Sequence, residues 1–113
     1  MKYALLFHAS KELVSCRKDP ALHQAGMAYG EALRAAGVVV FAAGLHPPDK
    51  ATMVSVREGK RHVHDGPYAE TKEFLGGFVI IDVPNLEAAL DWAARNPAAG
   101  DGVVEVRPCI AYS

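Results

Sequence analysis

A chain of 113 residues has the length of one domain and can bury a core without disulfide or metal staples. Half of its residues are hydrophobic and 22% are charged, the balance of an ordinary globular domain. A formal net charge of −1 excludes the electrostatic footprint of a nucleic-acid or anionic-membrane binder, so neither is expected as a partner.

The first expected element is a strand over residues 2–9, KYALLFHA, apolar apart from Lys2 and His8. The apolar run between those two is too short for the core of an export signal or for a membrane span, and a cytoplasmic location is expected. The polar connection SKELVSCRKD leads to Asp19-Pro20, a helix start: Asp can cap orphan N–H groups and Pro is tolerated in the first turn. Leu22, Ala25, Tyr29, Leu33 and Ala36 then recur at helical spacing, with His23, Met27, Glu31 and Arg34 on the opposite side and Gly37 as the stop. Gly26 and Gly30 weaken this helix and suggest close packing against a sheet.

Residues 38–44, VVVFAAG, form the next expected strand, ended by the rigid HPPD corner. A hairpin follows, with strands 51–57 and 61–64 about a turn at Glu58-Gly59-Lys60. The segment HDGPYAETKEFLGG reads as a loop, and FVIIDV, 78–83, as a buried strand that Gly76-Gly77 lets in close to another backbone. Asn85 caps a second helix with Leu86, Ala89, Leu90 and Ala93 on one face and Pro97 at its end. After the turn GDG, VVEVRPC is the last strand. The order β-α-β-(hairpin)-β-α-β is the ferredoxin-like α+β arrangement in a single domain over residues 1–113, and right-handed crossovers place both helices on one sheet face. Val104 and Val106 share the helix-covered face of the last strand, and Val103, Glu105 and Arg107 share the other. Such a half-polar second face suits a sheet packed on another subunit, so a homodimer is expected.

Chemistry concentrates around DGPYAETK. Asp65-Gly66-Pro67 is a tight turn that holds a carboxylate at a strand end, and Glu70, Thr71, Lys72 and Glu73 add two carboxylates, a hydroxyl and an ammonium. A lysine flanked by acids can hold a charged ligand or tune a neighbouring carboxylate; a solvated turn whose Asp bonds its own backbone is the plainer alternative. His46 stands on the rigid corner after a strand, where loops carry functional groups, and His23 in the first turn of the first helix, where the neutral imidazole is favoured. His62 and His64 share one strand face but have no third ligand nearby, so no metal is expected, nor any cofactor. Cys16 and Cys109 are expected as free thiols without a nucleophile's surroundings.

The stretch GLHPPDKATMVSVREGKRHVHDGPYAETKEFLGGFVIIDV resembles the DGPF branch of the YCII-related proteins, with a GLHP corner, a hairpin, a DGP-x-x-E-T-K-E string and Gly-Gly-aromatic in that order. Tyr68 stands where the name-giving motif has Phe, and LEAALDWAARNPAA and VEVRP extend the likeness to residues 2–108. The resemblance implies a ferredoxin-like unit that pairs as a dimeric α+β barrel, with a His-Asp pair in a cleft. Asp65 matches the DGP of the motif, and His46 of GLHP or His23 is its partner. On that basis two functions stand. One is an enzyme in which Asp65 and His46 or His23 act as an acid/base pair in a dimer cleft, with Thr71, Lys72 and Glu73 holding a small anionic metabolite. The other is a non-catalytic ligand-binding or regulatory module, since members of this family occur beside sigma-factor-like proteins.

Overall fold

In the computed structural model, residues 1–10, 20–67 and 73–111 are described. Strand β1 (Lys2–Ser10) leads to helix α1 (Pro20–Ala35) and strand β2 (Val39–Gly44). A one-turn 3-10 helix, Pro48–Lys50, precedes strands β3 (Thr52–Arg57) and β4 (Lys60–Asp65). Strand β5 (Glu73–Asp82), helix α2 (Leu86–Arg95), the short helix α3 (Ala98–Asp101) and strand β6 (Val103–Pro108) complete the chain. Four strands make one antiparallel sheet in the order β2-β5-β1-β6, while β3 and β4 pair only with each other. This is the expected ferredoxin-like α+β order with a hairpin set apart in its middle.

The expected dimeric α+β barrel is overturned. The four-stranded sheet is open, with β2 and β6 as its edges, and no sheet among the described residues closes on itself. Closure needs strands that continue the ladder around both edges; among the described residues β3 and β4 pair with each other and neither joins the four-stranded sheet.

Alternation along β1 and β5 builds the core. Tyr3, Leu5, Val79, Ile81 and Val83 are buried on one face, where Leu33 of α1 and Ala89 and Ala93 of α2 meet them. Both helices therefore cover the same face, with Val104 and Val106 packed beside them as the last strand's pattern predicted. Within α2 the buried stripe is Ala89 and Ala93; Leu86 and Leu90, expected on that face, are 48% and 42% exposed. Small alanines bring this helix close to the sheet, and the leucines fall to its flank. The Asn85 side chain accepts from the Ala88 N–H at 3.0 Å, the predicted cap. Asn85→Ala is expected to lower stability by about 1 kcal/mol in urea denaturation, through the loss of that bond.

Gly76 and Gly77 lie inside β5, not at its entrance, and the strand begins five residues before the expected FVIIDV. The register with β1 shifts between Phe7 and His8, which pair with Gly77 and Leu75, so Gly76 is the extra residue of β5. The expected close approach is present: a Cβ on Gly77 would stand 3.0 Å from the Ala43 carbonyl oxygen and 3.6 Å from the Phe7 ring. Backbone cannot yield as a side chain can, so Gly77→Ala is expected to destabilise by about 1–3 kcal/mol, checked by thermal melting. GDG, expected as a turn, is overlapped at its start by the single turn of α3.

Candidate functional site

The described residues that the sequence singled out stand on different elements. Asp65 closes β4 on the exposed hairpin, and Gly66 behind it has φ 110° and donates to the Ala51 carbonyl at 2.8 Å. That positive φ is the reason a glycine follows the aspartate. His46 is exposed at the corner after β2, where Leu45 N–H donates to the Gly76 carbonyl at 2.9 Å. Glu73 opens β5, exposed and opposite Ser10. Thr71 and Lys72 lie outside the described residues, as do Asp19 and Cys16. No hydrogen bond or ion pair among the described residues joins Asp65 to a histidine.

His23 is different, because it lines a cavity. Between α1 and the sheet is a cleft of about 710 Å³, walled by Phe7, Ala9, Leu22, Met27, Tyr29 and Pro97, with His23 and Arg34 among its polar groups. A neighbouring hollow of about 380 Å³ shares Phe7, Tyr29, Gly30, Arg34 and Gly44 with it and extends over Gly76 and Gly77. The cleft exists because side chains are missing where α1 faces the sheet. A Cβ on Gly26 would meet nothing within 4 Å, so this glycine does not serve the close packing expected of it. His23, Met27 and Arg34, expected on the outer side of α1, border the cleft instead. Leu33 is the buried residue of α1 and anchors its C-terminal half, while the N-terminal half stands off the sheet.

One wall of the cleft is fixed by a polar girder. The Tyr29 hydroxyl donates to the Trp92 carbonyl at 2.7 Å and receives a hydrogen bond from the buried Asn96 side chain. Its ring meets the Trp92 ring edge-on at 6.3 Å, and the Arg95 guanidinium covers the other aromatic at 4.2 Å. Burial pushes the Tyr29 hydroxyl above its ordinary pKa, and the Asn96 bond and the Arg95 charge only partly offset it. Tyr29 is thus a neutral structural member whose ring, not its hydroxyl, serves the cleft. Arg34 has no ion-pair partner among the described residues.

The histidine that does meet a carboxylate is His8: its Nε2 lies 2.9 Å from Glu105, with Arg107 at 3.8 Å from the same carboxylate. Alternation puts this cluster on the second face of the sheet, away from α1 and α2. No group of three or more metal-ligating side chains forms among the described residues.

The family profile described as the YCII-related domain matches residues 1–113, the whole length. The chain belongs to the YCII-related family. An uncharacterised protein of Rhizobium meliloti (strain 1021) is 42% identical over 81 residues, 68% of this chain and 64% of that protein, so the match spans less than two thirds of the relative's length. Among solved structures, the domain is similar to 5-chloro-2-hydroxyhydroquinone dehydrochlorinase from Burkholderia phenoliruptrix AC1100, in complex with 2,5-dihydroxybenzoquinone. The TM-score is 0.58 at 16% identity, covering 97% of this chain and 94% of the other. At that identity the likeness is one of fold.

Two residues of the YCII-related domain's cleft escaped sequence reasoning, Arg34 and Asn96. The signal for Arg34 was present: it stands on one helical stripe with His23 and Gly30, and a glycine stripe beside a charge marks a recess as readily as a tight contact. Asn96 had no such signal, because it meets Tyr29 across 67 positions of chain.

Proposed function

We propose that this YCII-related domain binds a small anionic organic ligand in the cleft between α1 and the sheet. Arg34 holds the negative charge and His23 is placed to transfer a proton. The observation that carries the reading is an arginine without a carboxylate partner among the described residues, on the rim of a mostly apolar cavity. Pockets of roughly 300–1,000 Å³ with few polar groups are the size and character of small-molecule sites. The dehydrochlorinase of the same fold holds a dihydroxybenzoquinone, which makes hydroxyquinones and aromatic hydroxy acids the first ligands to try.

Asp65 and His46 are the candidates for a second acid/base group, and Thr71, Lys72 and Glu73 for further ligand contacts. The turn that Gly66 makes behind Asp65 supports a positioning role. The D-G-P-Y-A-E-T-K-E string supports placement in the DGPF branch. A homodimer is part of the reading: Phe41 is 59% and Val103 52% exposed on the second face of the sheet, an apolar surface that a second copy would cover. Light scattering reads it directly, with a monomer mass counting against the dimer.

A second reading, a non-catalytic binding or regulatory module, is favoured by one observation. No aspartate or glutamate lines the cleft among the described residues, so His23 has no orienting carboxylate there. Calorimetry and turnover assays with the quinone and hydroxy-acid panel separate the cases. Arg34→Gln is expected to weaken binding of any ligand found by about tenfold to a hundredfold, the size of a charged hydrogen bond. In an enzyme, His23→Gln lowers turnover by about 10²–10⁴-fold with affinity nearly unchanged. In a module, ligand binds and no member of the panel is converted. Binding indifferent to Arg34 refutes the cleft.

A further inference from the structure

We infer that the ligand of this cleft is an elongated amphiphilic monocarboxylate, its acid group on Arg34 and its apolar body running along α1 to His23. The inference rests on the cleft being the binding site and adds the shape of the occupant.

Three observations set that shape. The first is size: a void of about 150 Å³ already houses a benzene ring, and this cleft has about 710 Å³. A single ring would leave most of the apolar wall wet. The second is span. His23 and Arg34 both border the cleft, and their positions on α1 differ by about three turns, which puts them on one side with backbones about 16 Å apart. Arg34 folds back along the helix: a Cβ on Gly30 would lie 3.5 Å from its Nη1 and 3.7 Å from its Nη2. The guanidinium therefore sits at the level of Gly30, about 10 Å of helix from His23. The third is the lining between those ends. Gly26, Gly30 and Met27 on the helix and Phe7 and Ala9 on β1 offer a groove with no charged side chain along it. One cation at one end and an apolar run of this length are complementary to a single acid group on a long apolar body. The imidazole of His23 offers a hydrogen-bonding group at the far end of that run.

The test uses the full chain and a series of straight-chain acids, butanoate, hexanoate, octanoate and decanoate, followed by calorimetry and by NMR of the Met27 methyl. Affinity is expected to climb about fourfold per methylene along the series, as each added CH₂ leaves water for the groove. Arg34→Gln should weaken every member by about tenfold or more. A Cβ at Gly26 would meet nothing within 4 Å, so Gly26→Leu starts its side chain in open space and narrows the groove midway. It should leave butanoate unchanged and weaken decanoate at least tenfold.

If short acids and the quinone panel bind through Arg34 but affinity is flat along the series, the elongated ligand is wrong and the anion site stands. Decanoate binding untouched by Gly26→Leu overturns the inference as well, since the chain then lies elsewhere. Indifference of the whole series to Arg34→Gln removes both the inference and the cleft reading on which it rests.

Discussion

Leu5→Ala is expected to lower the free energy of unfolding by about 2–5 kcal/mol, the largest effect of any single truncation proposed for this fold. Leu5 is one of the two largest fully buried side chains, at 0% exposure, and it sits on the central strand β1 between β5 and β6. Its register partners are Val79 and Val106, both turned to the helix-covered face, so its side chain is enclosed by neighbours from three strands. A cavity opened there is lined by backbone-anchored sheet residues that cannot collapse into it, which places the cost in the upper part of the range. The control is Leu90→Ala. Leu90 is 42% exposed on α2, and its truncation should move stability by about 0.5 kcal/mol, the scale of a surface change. Urea denaturation of the two variants side by side reads the difference, and similar losses would mean that the core is not where burial puts it.

How much of this was legible beforehand divides along physical lines. Strand order, both long helices, the hairpin and the Asn85 cap are local or periodic signals. Alternation in YALLF, helical spacing through Leu22 to Leu33 and the Glu58-Gly59 turn lie within a few residues of what they specify. Gly76-Gly77 failed as punctuation because two glycines look like a break. The close backbone expected beside them is there, Ala43 and Gly44 on β2; what local sequence misplaced is the start of the strand. The helix faces failed for a related reason. Helical spacing put Leu86, Ala89, Leu90 and Ala93 on one face, yet of these four the sheet buries the smaller pair, which lets α2 come closer. On α1, periodicity drew an inner and an outer side, whereas His23 and Arg34 of the outer side border the gap between helix and sheet.

Of the residues singled out beforehand, His23 is the one that lines the cleft among the described residues. DGPYAETK drew notice because its charges are adjacent in sequence, and adjacency in sequence is a weak guide to convergence in space. Asp65 ends on a hairpin that pairs with itself, while the cleft is assembled from β1, α1, β2, β5 and the end of α2. Barrel closure was an inference from kinship, and edge geometry decides it: an open sheet with β2 and β6 at its margins has not closed.

Tyr29→Phe is the second large effect, and it separates stability from ligand contact. The substitution keeps the ring that walls the cleft and removes the hydroxyl that ties α1 to the end of α2. It leaves the Trp92 carbonyl without its donor and takes one hydrogen bond from the buried Asn96. Each buried group stripped of its partner costs about 1–3 kcal/mol, so the variant should melt well below the parent while the apolar lining is unchanged. The pH dependence identifies the cause. Burial holds the Tyr29 hydroxyl above its ordinary pKa, so the folded state retains a proton that the unfolded chain gives up near pH 10. The stabilisation from that group is complete below the ordinary value and is lost as pH rises through the folded one. Parent minus variant stability, measured by urea denaturation from pH 8 upward, should be flat to about pH 10 and then fall. A difference independent of pH would mean that the hydroxyl is not the buried, neutral donor the girder requires. Ligand affinity measured at pH 8 should stay within about threefold of the parent, because the contact surface is the ring; a larger loss would mean that α1 itself moves when its tie to α2 is cut.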